Sequence, residues 1–214
     1  MPASASTTDN SGRLLDLLNS PYDIGPTGNI RQALNPSSPC RTNLSWLGAT
    51  LVDGALNGTE VGTVVAVPVS PGDVLQTVKL AVGKTKGKKV EAGFAAVYVG
   101  VKGGALVAQS KSALLKETVL AEEPLSFTLE STVAVTAAIA PHGYVYVVLA
   151  LEAETMPTCI GVSASKEAQA CVAKLSVGAP ECMAGSVGTA LKTKAAATLG
   201  AVTVVAQVPL VILH

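Results

Sequence analysis

From about residue 46 onward the sequence predicts an antiparallel β-sandwich, jelly-roll-like, of about ten strands, and three observations carry that prediction. Short runs rich in Val, Leu, Ala and Thr alternate in polarity with a period of two. Gly, Pro, Asp and Asn punctuate these runs at short intervals, and only one stretch among them reads as a helix. Strands that follow one another without intervening helices argue for an all-β fold and against a parallel α/β sheet. At 214 residues the chain is long enough for one domain with an appendage and for a substantial buried core.

The appendage comes first. Residues 1–45 read as an extended N-terminal arm with short helical turns, and residues 46–214 as the sandwich. MPASASTTDN is small and polar, and residues 21–40 carry Pro21, Pro26, Pro36 and Pro39. Between them SGRLLDLLNS forms short helical turns capped by Ser11, with a cluster at Leu14, Leu15, Leu17 and Leu18. So short a segment cannot bury its leucines within itself, so they are expected to lie on the sandwich or on another subunit. Trp46, the only tryptophan, stands where the arm meets the sandwich. It reads as an anchor, with a sugar-stacking platform as the alternative.

TVVAVPVS is the first clear strand, and PGD after it is a turn, with Pro71 presetting φ and Gly72 free to take positive φ. VLQTVKLAV follows, with Val74, Gln76, Val78, Leu80 and Val82 on one face. The lysine-rich GKTKGKK, residues 83–89, then reads as the tip of a long hairpin whose return strand is VEAGFAAVYVG. On that strand Phe94, Ala96 and Tyr98 point to one side, and Ala95, Val97 and Val99 to the other. GALVAQS begins with turn glycines. PLSFTLE places Leu125, Phe127 and Leu129 on one face, and TVAVTAAIA runs to the turn PHG. YVYVVLALE is apolar on both faces, as a central strand should be. TCIGVSA precedes a short helix in SKEAQACVAKL, small strands follow around Met183, and the apolar end of the chain alternates as one closing strand. That period, with Gln207 and Pro209 inside it, argues against a membrane span.

The chemistry classes are narrowed by what is scarce. The only histidines are His142, beside Pro141 in a turn, and His214, so no serine or cysteine has an evident base. Glu122 and Glu123 are adjacent and splay apart in an extended chain, which does not suit paired-carboxylate catalysis. Cys40, Cys159, Cys171 and Cys182 have no metal-binding spacing and read as small buried hydrophobes, a disulfide among the last three staying open. There is no P-loop, dinucleotide fingerprint or EF-hand loop. The expectation is a non-enzyme with no catalytic residues, metal or cofactor. Fifteen basic and fifteen acidic residues cancel, so nucleic acid is not an expected partner. The cluster Lys84, Lys86, Lys88 and Lys89 lacks interleaved aromatics and reads as a solvated loop. MPASASTTDNSGR lacks the cationic start and apolar core of a secretory signal. Charged residues are 14% of the chain, against roughly 25% on average, which suits a surface partly covered by neighbours.

Across VAVPVSPGDVLQTVKLAVG, GFAAVYVG, LVAQS, FTLE, VTAA, GYVYVVLALEA and MPTCIGV the sequence resembles a virion-surface β-sandwich domain. That domain occurs in minor tail and capsid decoration (head fibre) proteins of tailed phages infecting actinobacteria. The likeness spans roughly residues 47–162, in the order and spacing of these motifs. It implies a structural protein on the capsid or tail surface of the virion, a homo-oligomer with a trimer favoured, whose partners are the major capsid or tail proteins. In that setting the arm docks on the particle through Leu14, Leu15, Leu17 and Leu18. The resemblance also implies contact with host-surface glycans, which makes a carbohydrate-binding receptor module the alternative, with Trp46, Tyr98 and Tyr144 as candidate contacts. The cysteines and the leucine-bearing arm depart from the family pattern.

Overall fold

The computed structural model describes residues 41–42, 52–55, 61–84, 87–111, 118–119, 124–175, 180–188 and 195–214. Among them the chain is an all-β antiparallel sandwich. In order the elements are β1 (Arg41–Thr42), β2 (Val52–Ala55), β3 (Val61–Pro68), β4 (Val74–Ala81), β5 (Gly87–Tyr98), β6 (Leu106–Gln109) and β7 (Thr118–Val119). Then come β8 (Pro124–Ala134), β9 (Tyr144–Thr155), β10 (Thr158–Ser163), the helix α1 (Lys166–Leu175), β11 (Ala184–Gly188), β12 (Val202–Val204), β13 (Gln207–Pro209) and β14 (Val211–Leu213). A seven-stranded sheet runs β12-β11-β3-β9-β5-β6, with β7 also beside β5. A four-stranded sheet runs β1-β14-β4-β8, and a small one runs β13-β10-β2.

The two-sided apolar run in β9 sits where such a run must, between β3 and β5 at the centre of the large sheet. Its odd residues Val145, Val147, Leu149 and Leu151 join Val65, Val67, Ala95 and Val97 on the inner face. There they meet Leu75, Val78, Leu80, Leu125, Phe127, Leu129, Val211 and Leu213 of the four-stranded sheet. Each large side chain buried in this layer contributes about 1.5–3 kcal/mol. The even residues Tyr146, Val148 and Ala150 face the other way with Val64, Ala66, Phe94, Ala96 and Tyr98. The alternation expected for β5 and β8 is therefore present. The PGD turn is present too, with Gly72 at φ 95 and the Asp73 N–H donating to the Ser70 carbonyl at 3.0 Å.

Four expectations about strands are corrected. β4 and β5 do not form a hairpin, because β4 pairs with β8 and β14 whereas β5 pairs with β6, β7 and β9. β4 and β5 therefore lie in different sheets and face one core from opposite sides. Within β4 the face assignment changes phase at Gln76. The N–H groups of Gln76 and Thr77 both donate to the His214 carbonyl at 2.7 Å, and the register against β8 shifts there. This bulge buries Leu75 with Val78 and Leu80 and leaves Val74 exposed. TVAVTAAIA is not a strand of its own; its first residues continue β8 to Ala134. The closing run is three short strands in three sheets, because the chain changes partner at each break. At the last break the Leu210 N–H donates to Ile160 and its carbonyl accepts from Ala81.

Arg41–Thr42, the described part of the arm, are an edge strand of the sandwich, antiparallel to β14. Leu14, Leu15, Leu17, Leu18, Cys40 and Trp46 lie outside the described residues, as do Glu122 and Glu123. No described helix is long and apolar enough to cross a membrane.

Candidate functional site

The outer face of the seven-stranded sheet carries Phe94 and Tyr98 on β5 and Tyr144 and Tyr146 on β9, with Tyr98 and Tyr146 directly opposite each other. A strap of residues 195–201 covers it. At one edge the Ala195 N–H donates to Gln109 Oε1 at 3.1 Å, and the Leu106 N–H to the Ala197 carbonyl at 2.9 Å. Gly103 and Leu199 add an exchange of bonds: the Gly103 N–H donates to the Leu199 carbonyl, and the Leu199 N–H to the Gly104 carbonyl. Midway, the Tyr98 hydroxyl donates to the Ala196 carbonyl at 2.9 Å. The strap then enters β12 at the opposite edge, against β11.

Glycine makes the first anchorage possible. Gly103 has φ 69, and a Cβ on Gly104 would collide with the backbone of Gly100, so this turn closes only around glycine. The second anchorage is Gln169 on α1, which is 2% exposed. Ser165 caps its helix by accepting the Ala168 N–H at 3.1 Å. The Gln169 Nε2 donates to the Ala164 and Val205 carbonyls at 3.1 and 2.6 Å. Its Oε1 accepts from the Met183 and Ala184 N–H groups, both at 3.2 Å. One amide thereby fixes the chain just after β12 and the segment leading into β11.

Between strap, turn and that segment lies a cleft of about 380 Å³, lined by residues 101–103, 181–182, 199–202 and Val204. Val101, Cys182 and Leu199 are buried, Val202 and Val204 half-buried, and Lys102 and Glu181 exposed at the rim. The Glu181 N–H donates to the Tyr146 hydroxyl at 3.1 Å. Burial, with the Glu181 carboxylate adding to it, pushes the Cys182 thiol up to about 11. Burial likewise pushes Tyr146 up to about 12, against the opposing effect of the bond from the Glu181 N–H. Cys182 is thus a protonated thiol at neutral pH, which makes it a poor nucleophile. The cleft offers an apolar recess with one cation and one anion at its mouth.

The nominated aromatics fare unequally. Tyr98 is 1% exposed with its hydroxyl bonded inside the protein, which leaves its ring little surface to offer a sugar. Tyr144 is half-buried at the margin of the same cluster. His142 is exposed in its turn beside Gly143, which has φ 75. Cys159 and Cys182 are buried free thiols, and the Cys159 thiol donates to the Gly54 carbonyl at 3.5 Å. Among the described residues no group of three or more His, Cys, Asp or Glu is placed to hold a metal ion. Lys102, Glu181 and Gln169 were not singled out by sequence, since a lysine in a Gly-rich turn and a glutamine in a polar helix both read as solvated. No protein-family model matches the chain, and no curated protein does.

Proposed function

We propose that this chain is a non-enzymatic structural protein of a tailed phage virion, displayed on the capsid or tail surface and anchored by its N-terminal arm. The observation that supports this reading best is the join between arm and sandwich. Arg41–Thr42 pairs with the last strand, β14, which in turn pairs with β4 inside the four-stranded sheet. Load on the arm is therefore carried into the sandwich through backbone hydrogen bonds rather than through a loose linker. The protonated Cys182 thiol in the cleft suits a non-catalytic role. The partners are the major capsid or tail proteins, with copies of this chain arranged as a trimer.

The test is binding of the full chain and of a chain lacking residues 1–40 to particles stripped of it. Loss of binding without the arm is the expected result, and full occupancy without it rejects the reading. A second reading, a carbohydrate-binding receptor module, draws on the partial exposure of Tyr144. Glycan-array binding that disappears in Tyr144→Ala supports it, and a blank array rejects it.

A further inference from the structure

The cleft on the outer face is an apolar recess of about 380 Å³, at the small end of the range for binding pockets, about 300–1,000 Å³. We propose that it receives the leucine cluster of the arm, Leu14, Leu15, Leu17 and Leu18, from a neighbouring copy of this chain. The proposal rests on the reading of residues 1–45 as a docking arm, but gives the leucine cluster to a neighbouring copy and leaves contact with the particle to the rest of the arm.

Three observations converge. Val101, Leu199, Val202 and Val204 make the lining mostly apolar, which suits aliphatic side chains, with the polar groups supplied by Lys102, Glu181 and the glycine turn. Lys102 and Glu181 stand exposed at its mouth and make no ion pair among the described residues. The leucine cluster carries the matching charges in its own sequence, Arg13-Leu14-Leu15-Asp16-Leu17-Leu18, with a cation before the leucines and an anion among them. Arg13 complements Glu181 and Asp16 complements Lys102, which fixes the orientation of the segment as well as its place.

The arm starts on the side of the sandwich away from its own cleft. The arm joins the sandwich at β1, on the four-stranded sheet, whereas the cleft lies on the far side of the seven-stranded sheet. From Leu18 to Arg41 is 41 − 18 = 23 residues, a reach of up to about 75 Å at about 3.3 Å per residue. That span covers this copy's own cleft as well as a neighbour's, and the dependence on concentration below is what separates them. An arm seated on the next copy is a heterologous contact, which closes into a ring when the rotation allows.

Amide hydrogen exchange of the full-length chain tests this. At high concentration residues 101–104 and 199–204 are expected to be protected, and to exchange about tenfold faster on dilution or in the variant L14D/L15D/L17D/L18D. Unchanged exchange in β9 shows that the variant is folded. Lys102→Glu alone is expected to weaken the protection about threefold, and the pair K102E/D16K to restore it. Exchange that is indifferent to the leucine changes overturns the proposal, and so does protection that does not vary with concentration. Binding of an armless chain to particles bears on the structural role alone, so the two failures are distinguishable.

Discussion

The two faces of the seven-stranded sheet are made from alternate residues of the same strands, yet they are covered in different ways. On the inner face Val65, Val67, Ala95, Val97, Val147 and Leu149 meet a second sheet. Two sheets present regular rows to each other and close at about 10 Å, so aliphatic side chains suffice. On the outer face the cover is a strap and two irregular segments, which leave backbone groups without ladder partners. Tyrosine hydroxyls supply some of those partners: Tyr98 bonds the Ala196 carbonyl and Tyr146 the Glu181 N–H. An irregular cover also fails to fill the space above the sheet, and the cleft is the result. A sheet on a sheet gives a sealed core; a strap on a sheet gives a core with a recess in it.

The largest effect is expected where the irregular cover is tied down. Gln169→Leu removes four hydrogen bonds at about 1 kcal/mol each, so a loss of about 4 kcal/mol is expected by urea denaturation. Gln169→Glu sets a buried carboxyl oxygen against the Ala164 and Val205 carbonyls, and is expected to cost at least as much as Gln169→Leu. A cost near zero for Gln169→Leu would mean that packing alone holds the strap, and the contrast between the faces would collapse.

Next come two chemically identical changes on opposite sides. Leu80 is buried between the sheets and Leu199 is buried on the strap beside the cleft. Leu→Ala costs about 2–5 kcal/mol depending on how far the surroundings collapse. Leu80→Ala is expected in the upper half of that range, because two sheets cannot close on a missing side chain, and Leu199→Ala near its lower end. Equal costs, measured by the same denaturation, would show that the strap is as rigid as a sheet.

These differences mark the limits of what the sequence made legible. Period two in VYVVLAL and FAAVY reported burial on both faces of β9 and β5, because alternation is a local property of an extended chain. It did not report which sheet each strand joins. The hairpin expected across residues 83–89 failed because a crossover between sheets and a tight hairpin leave the same local pattern. The phase change in β4 was hidden because a bulge at Gln76 depends on a carbonyl 138 residues later, that of His214 (214 − 76). The closing run looked continuous because its breaks are set by changes of partner rather than by its own residues. The cleft was illegible for a related reason: its walls come from residues 101–103, 181–182, 199–202 and Val204, and none of these carries a motif.

A smaller effect belongs to the strap's middle bond. Tyr98→Phe removes one hydroxyl and leaves the carbonyl of the exposed Ala196 able to reach water. A loss of about 1 kcal/mol is expected, with Tm falling by a few degrees. A loss above about 2 kcal/mol would mean that the Ala196 carbonyl is sealed from solvent and that the strap packs as tightly as the inner layer.

The last effect is a pH dependence, and it reports on the cleft itself. In the unfolded chain a thiol ionises near about 8.5, whereas burial and the Glu181 carboxylate push Cys182 up to about 11 in the fold. Between those values the unfolded chain gives up a proton that the folded chain retains. Stability from this group is therefore complete below about pH 8.5 and is lost as pH rises toward 11. Tyr146 behaves in the same sense at higher pH, since it is pushed up to about 12. The comparison is best made between pH 8 and 10, with wild type set against Cys182→Ala, because every other titrating group is shared. The wild type is expected to lose denaturation midpoint relative to the variant across that range. Parallel curves would mean that Cys182 ionises in the folded protein as readily as in the unfolded one. Water would then reach the floor of the cleft, and the outer cover would be open rather than merely incomplete.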